Sequence, residues 1–276
     1  MNWRNGCRST APLAQTLLWA DFFEEMKRRL APHVAQTSPK KGVVFSEWSL
    51  RVSPDVEKRN NIWHGKEWLQ TFDYTEIDSY ASVEHFVRYT EERIEGVKRL
   101  APEIEPGFLF CLSPSRIDTM DFYKKRSEGH PPLVDEVKYK LFEAVAFGLK
   151  GAFYWNERYR GVWTDKCWNE ALAAIGKVED IVVDGKRTGP LKTDDPKVHA
   201  HGVALGDRAV VAVSEYINLQ PVTAKVSYPV KKPSKVTDAE TGEKLGEISP
   251  GQPEFPVTLD KSRCRLLLIQ PRAESL

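Results

Sequence analysis

Between residues 14 and 30, Leu17, Leu18, Phe22, Met26 and Leu30 recur at helical spacing, so this stretch predicts an amphipathic helix. A Pro/Ser/Lys-rich link follows, and then Gly42-Val-Val-Phe-Ser-Glu-Trp48, which predicts a short buried strand with a polar tip. Gln70-Thr-Phe-Asp-Tyr74 is a second, weaker strand. Residues 82–99 place Val83, Phe86, Val87, Ile94 and Val97 on one helical face. Gly107-Phe-Leu-Phe-Cys-Leu112 is a third strand, stopped by Ser113-Pro114. A helix over 133–148 carries Val134, Val137, Leu141, Ala144 and Val145 inward and ends at Gly148. It feeds a fourth strand, Gly151-Ala-Phe-Tyr-Trp155. Apolar strands alternating with amphipathic helices predict a parallel sheet with helices outside it. Continuous apolarity within the strands agrees, because parallel strands are covered on both faces.

From Lys197 the pattern changes. Val203–Leu205, Ala209–Val213, Thr223–Tyr228, Lys235–Thr237, Phe255–Leu259 and Arg265–Ile269 are short apolar runs. Turn signals separate them: Gly206-Asp207, Asn218, Pro233, Thr241-Gly242 and Pro250-Gly251. No helical pattern intervenes, so an antiparallel β-sandwich is expected. The Gly/Pro/Asp-rich stretch Thr188–Pro196 reads as a linker between a domain over 1–190 and a second over 197–272.

Composition narrows the function classes. With 276 residues, 41% hydrophobic and 29% charged, the chain reads as an ordinary globular protein. A formal net charge of +1 argues against nucleic acid as a partner, which needs a concentrated basic face. No stretch approaches the roughly 20 apolar residues of a membrane helix, so no membrane role is expected. Met1–Pro12 lacks the apolar centre of a signal peptide, and the cellular location stays open. Cys7, Cys111, Cys167 and Cys264 form no C-x-x-C pair, so reduced thiols are expected and no metal site or cofactor is called for. His199 and His201 alternate at the entrance to the second domain and read as an exposed strand edge rather than metal ligands.

The passage Glu143-Ala-Val-Ala-Phe-Gly-Leu-Lys-Gly-Ala-Phe-Tyr-Trp-Asn-Glu157 resembles the last βα unit of clan-A-type and related glycoside hydrolase barrels. There a helix ending in a similar glycine phrase enters the eighth strand, whose end carries an aromatic residue under the sugar site. Val236-Thr-Asp-Ala-Glu-Thr-Gly-Glu-Lys-Leu245, followed by Arg265-Leu-Leu-Leu-Ile269, is similar to the domains that trail many such enzymes. The resemblance implies the C-terminal part of a (β/α)8 TIM barrel, its opening strands missing, with Trp168–Val178 as the final barrel helix. It places the acid/base strand upstream. It also implies a nucleophilic Glu at the end of the seventh strand, where Phe108–Pro114 has no acid. A half barrel leaves two strand edges open, which predicts a homo-oligomer or a partner chain that completes it.

Barrel sites lie at the C-terminal ends of strands, and glycosidic hydrolysis uses two facing carboxyl groups. Glu47 fits by position, beside Trp48, whose ring could stack on a sugar; a salt bridge to Arg51 or a helix cap is the structural alternative. Asp73, Glu76 and Asp78 cluster after the second strand and suit a catalytic carboxylate, calcium, or capping of the next helix; Asp73 is the best functional candidate. Glu157 follows Trp155 at the last strand's tip, among Tyr154, Tyr159 and Trp163, which suits a carbohydrate platform. Trp63, His64 and Trp68 sit in a loop that would overhang the same face. Two readings follow: a glycoside hydrolase acting on an oligo- or polysaccharide, or a non-catalytic carbohydrate-binding or scaffold protein on a degenerate barrel.

Overall fold

The computed structural model describes residues 25, 28–29, 44–45, 74–78, 90–91, 94–95, 107–112, 136–149, 151–154, 162–215, 221–260 and 263–272. The chain divides into two compact units, Met1–Asp78 with Glu91–Leu109, and Ser79–Thr90 with Phe110–Leu276.

In the first unit, β1 (Val44–Phe45) pairs in parallel with β2 (Tyr74–Asp78), Val44 opposite Tyr74 and Phe45 opposite Thr75. The strand order continues from β2 to β3 (Gly107–Leu112). β2 extends to Asp78, so Glu76 and Asp78 lie within the strand rather than after it. The β-favouring Tyr-Thr-x-Ile sequence carries the extended backbone through these acids. Glu25, Arg28 and Arg29 are helical, as the 14–30 pattern predicts, and so are Thr90, Glu91, Ile94 and Glu95 of the 82–99 stretch.

In the second unit, β3 lies beside β4 (Gly151–Tyr154), which is entered from α1 (Glu136–Ala146). α1 is buried on nearly every side: from Val137 to Leu149 only Lys138 and Gly148 are partly exposed. A single inward face was expected. The difference arises because α1 packs on α2 (Val162–Gly176) and also on strands β7, β8 and β13 of the following sheet. α2 begins six residues ahead of the expected Trp168, with Asp165 in its first turn, where a carboxylate meets the positive end of the helix dipole. A short helix, α3 (Glu179–Asp184), buries Ile181 and Val182.

Then come β5 (Lys186–Pro190), β6 (Lys192–Thr193), β7 (Val198–Leu205), β8 (Arg208–Glu215), β9 (Val222–Ser227), β10 (Ser234–Asp238), β11 (Lys244–Ile248), β12 (Glu254–Leu259) and β13 (Cys264–Pro271). They form a six-stranded sheet, order β11-β10-β13-β8-β7-β5, and a three-stranded sheet, order β12-β9-β6. Their pairings are antiparallel. Among the described residues of 200–270 no helix occurs. Ala209, Val211, Val213, Leu267 and Ile269 of the larger sheet share one apolar core with Ala224, Val226, Phe255, Val257 and Leu259 of the smaller.

β12 keeps strict alternation, buried at every second residue, because only one of its faces is covered. β8 does not. Val210 and Ala212, on the side away from that core, are as buried as their neighbours, because α1 and α3 cover the second face. The Gly/Pro-rich stretch read as a linker forms β5 and β6. A register shift falls between Arg187 and Gly189, and Gly189 has φ 82°, as a bulge at a sheet edge requires.

At the end of β8 the Glu215 carboxylate accepts a hydrogen bond from the Arg263 guanidinium, with side chains 1% and 5% exposed. Removing one member of a buried pair leaves the other uncompensated. Arg263→Met is therefore expected to destabilise the chain by about 3–5 kcal/mol in urea unfolding. A loss under about 1 kcal/mol would show that the Glu215 charge is not buried as described.

Candidate functional site

Glu47, Trp48, Trp63, Trp68, Asp73, Trp155, Glu157 and Tyr159 lie outside the described residues; their flanking strands and helices do not. β1 ends at Phe45, two residues before Glu47, and β4 ends at Tyr154, directly before Trp155. Asp73 precedes the first described residue of β2, and Asp78 occupies its C-terminal end. Trp163, grouped with the aromatics at the last strand's tip, lies in the first turn of α2. The signal for the strand around Asp78 was present in the sequence: Tyr74-Thr-Glu-Ile-Asp78 is rich in β-favouring residues.

The turn from α1 into β4 fixes how the last strand is entered. Gly148 has φ 83°, a left-handed conformation, and its N–H bonds to the Val145 carbonyl at 3.0 Å. The Leu149 N–H bonds to the Ala144 carbonyl at 3.0 Å. This pair of bonds closes a helix end by satisfying carbonyls the helix itself leaves open.

A lysine then joins three elements. Lys138 of α1 pairs with Glu240 of the β10–β11 turn at 2.5 Å and with Glu170 of α2 at 3.0 Å, its own side chain only 13% exposed. Burial alone would lower the Lys138 pKa, but the hydrogen bonds it donates to Glu240 and Glu170 outweigh it and hold it above the ordinary lysine value. Lys177, just past α2, donates to the Ala239 and Glu240 carbonyls at 3.0 and 2.8 Å. The turn itself is shaped by Asp238, whose Oδ1 accepts the Glu240 and Thr241 N–H groups, both at 2.9 Å. Its Oδ2 accepts from Arg265 at 2.7 Å.

Beside this turn is an open cleft of about 350 Å³, lined by Asp238, Glu240, Thr241, Glu243, Thr258, Asp260, Cys264 and Arg265. Its carboxylates are largely engaged: Asp238 and Glu243 by Arg265, Glu240 by Lys138. Among the described residues no group of three or more His, Cys, Asp or Glu is placed to hold a metal ion. No described helix is long and apolar enough to cross a membrane.

α1 also meets the larger sheet through polar groups. Ser214 Oγ of β8 donates to Glu143 Oε1 of α1, both residues fully buried. Phe147 lies 4.3 Å, ring centre to ring centre, from His201, and the Arg187 guanidinium lies 5.2 Å from the centre of the same Phe147 ring. His201 is therefore not on an exposed edge. β7 lies between β5 and β8, and His201 is 3% exposed. Burial, then the nearby positive groups Arg187 and His199, push its pKa down to about 3.

No protein-family model matches the chain, and no curated protein matches it. Solved structures do. An Anoxybacillus alpha-amylase, described as belonging to a new glycosyl hydrolase subclass, has TM-score 0.56 at 10% identity over 93% of this chain and 57% of its own. The maltogenic alpha-amylase AmyB of Thermotoga neapolitana has TM-score 0.51 at 10% identity, covering 91% and 66%. AmyP in complex with maltose has TM-score 0.57 at 12% identity, covering 92% and 63%. This likeness is one of fold alone, and the chain spans less than two thirds of each of these proteins.

Two substitutions test the frame around β4. In Gly148→Ala the new Cβ would meet only Arg187 Cβ, at 3.9 Å, so the cost is conformational and amounts to about 1–2 kcal/mol. Lys138→Met removes two charge-assisted hydrogen bonds and is expected to cost about 1–3 kcal/mol. Both are read from urea midpoints at constant slope. Changes below about 0.3 kcal/mol would mean that neither contact holds α1 in place.

Proposed function

We propose that the chain is the C-terminal part of a glycoside hydrolase, its β/α units the later strands of a (β/α)8 barrel over 1–190, with the antiparallel sheets over 197–272 as a trailing β-sandwich. The supporting observation is a fold likeness that covers nine-tenths of this chain in two alpha-amylases and in AmyP. A bond between sugars is cut when one carboxyl group gives a proton to the leaving oxygen and a second stabilises or attacks the anomeric carbon. Glu47, just beyond β1, and Glu157, just beyond β4, are assigned to that pair. Asp73, which precedes the described part of β2, is the third carboxylate assigned to the site. Trp48, Trp63, Trp68, Trp155 and Tyr159 provide rings that stack on the apolar faces of a pyranose. Trp163, placed on a helix, is the weakest member of the platform.

We propose association with a second copy or with a partner chain, since a parallel sheet with open edges is exposed to pairing. One observation favours the non-catalytic reading instead. β3 ends at Leu112 and is followed by Ser113-Pro114, with no acid at the position where the resemblance calls for a nucleophile.

Maltose and longer maltodextrins are the first probes, because one structure of similar fold holds maltose. Trp155→Ala is expected to weaken oligosaccharide binding by about 1–3 kcal/mol in titration calorimetry, the scale of one buried aromatic contact. Glu47→Gln is expected to keep binding and lose turnover in a reducing-sugar assay. Binding without turnover in the wild type selects the non-catalytic reading. Absence of binding across a panel of oligosaccharides contradicts both.

A further inference from the structure

We propose that His201 makes the seat of helix α1 on the antiparallel sheet acid-labile: the neutral imidazole holds Phe147 against β7, and the imidazolium releases it. The argument is geometric first. His201 is paired across β7 with Ala212 of β8 on one side and Pro190 of β5 on the other, so its strand is interior to the sheet. Its ring lies against Phe147, the first residue past α1, and is almost wholly shielded from water. Nδ1 has no hydrogen-bond partner among the described residues.

The charged groups around this seam do not favour a further cation. β5 brings Arg187, whose guanidinium lies over the same Phe147 ring, and β7 itself brings His199. α1 brings the Glu143 carboxyl, which Ser214 of β8 engages. α3 brings Asp180, which Arg208 of β8 engages at 2.6 Å. A proton taken up by His201 therefore creates a buried cation beside another, with an N–H that has no acceptor. The escape is for the α1 end to part from β7 so that water reaches the ring. The direction of the pKa shift agrees with this.

The sign follows from linkage. The seated form binds the proton only near pH 3, and the opened form binds it at the ordinary histidine value of 6.5. The opened form thus holds more protons between these values, so seating is intact above pH 6.5 and weakens as pH falls toward 3. The opening equilibrium grows tenfold per pH unit well below 6.5, or about 25-fold between pH 7 and pH 5.

Hydrogen exchange of the full chain, resolved by peptide and expressed as protection factors, reads this opening. In the wild type, protection of peptides from 136–149 is expected to fall about 25-fold between pH 7 and pH 5, while peptides from β9 and β12 keep theirs. His201→Phe, which preserves a ring against Phe147, is expected to lose that pH dependence. His201→Gln serves the same purpose should the larger ring fail to fit. Wild-type protection that is unchanged over 136–149, or a fall that persists in either variant, overturns the proposal. So does a fall of equal size in every peptide.

Discussion

The described structure depends on the two-sided burial of helix α1. A helix at the surface of a domain presents one apolar stripe and leaves the other side to water. α1 has no such free side: Tyr139, Phe142, Ala144, Ala146 and Phe147 are each at most 2% exposed. One side packs on α2, and another packs on the middle of a six-stranded antiparallel sheet. The central strand β8 accordingly loses the alternation of an ordinary sheet strand. Two architectures that need not share a core are joined by one element whose apolar surface is divided between them. Disturbing α1 then affects the entry into β4 and the back of the sheet together.

Burial of that kind forces polar groups to find partners inside the seam. Lys138 bridges two carboxylates on different elements, Ser214 meets Glu143, and Lys177 binds the backbone of the 238–242 turn. His201, whose ring lies against Phe147, is held neutral by burial and by the positive groups nearby, so its titration would act on the helix. The acidic cleft beside the turn is by contrast an internally neutralised surface, Arg265 lying between Asp238 and Glu243.

Much of this was legible in the sequence, because period-two and period-3.6 patterns report burial directly. The change from helix-linked to turn-linked strands, the ends of α1 near 133 and 148, and the strands at 209–213, 255–259 and 265–269 all follow from apolar spacing. What escaped it has specific causes. β5 and β6 are Gly- and Pro-rich, and a bulged edge strand looks like a linker until its partner is known. β11, Lys244-Leu-Gly-Glu-Ile248, has too little apolar character to be read without β10 beside it. His201 looked exposed because a strand's neighbours cannot be read from its own residues, and α2 was started late because Trp163 was grouped with the aromatics at the last strand's tip. For the candidate site, the strand continues past Tyr74 to Asp78, because Tyr74-Thr-Glu-Ile-Asp78 carries acids where a strand was expected to have ended.

The most direct test of the account is a crystal structure of the chain soaked with a maltodextrin. The account predicts sugar rings at the C-terminal ends of β1, β2 and β4, against Trp155, with Glu47 and Glu157 on either side of a glycosidic oxygen. Sugar bound only in the cleft at Asp238 and Arg265, or strand ends that point to opposite faces, would contradict it.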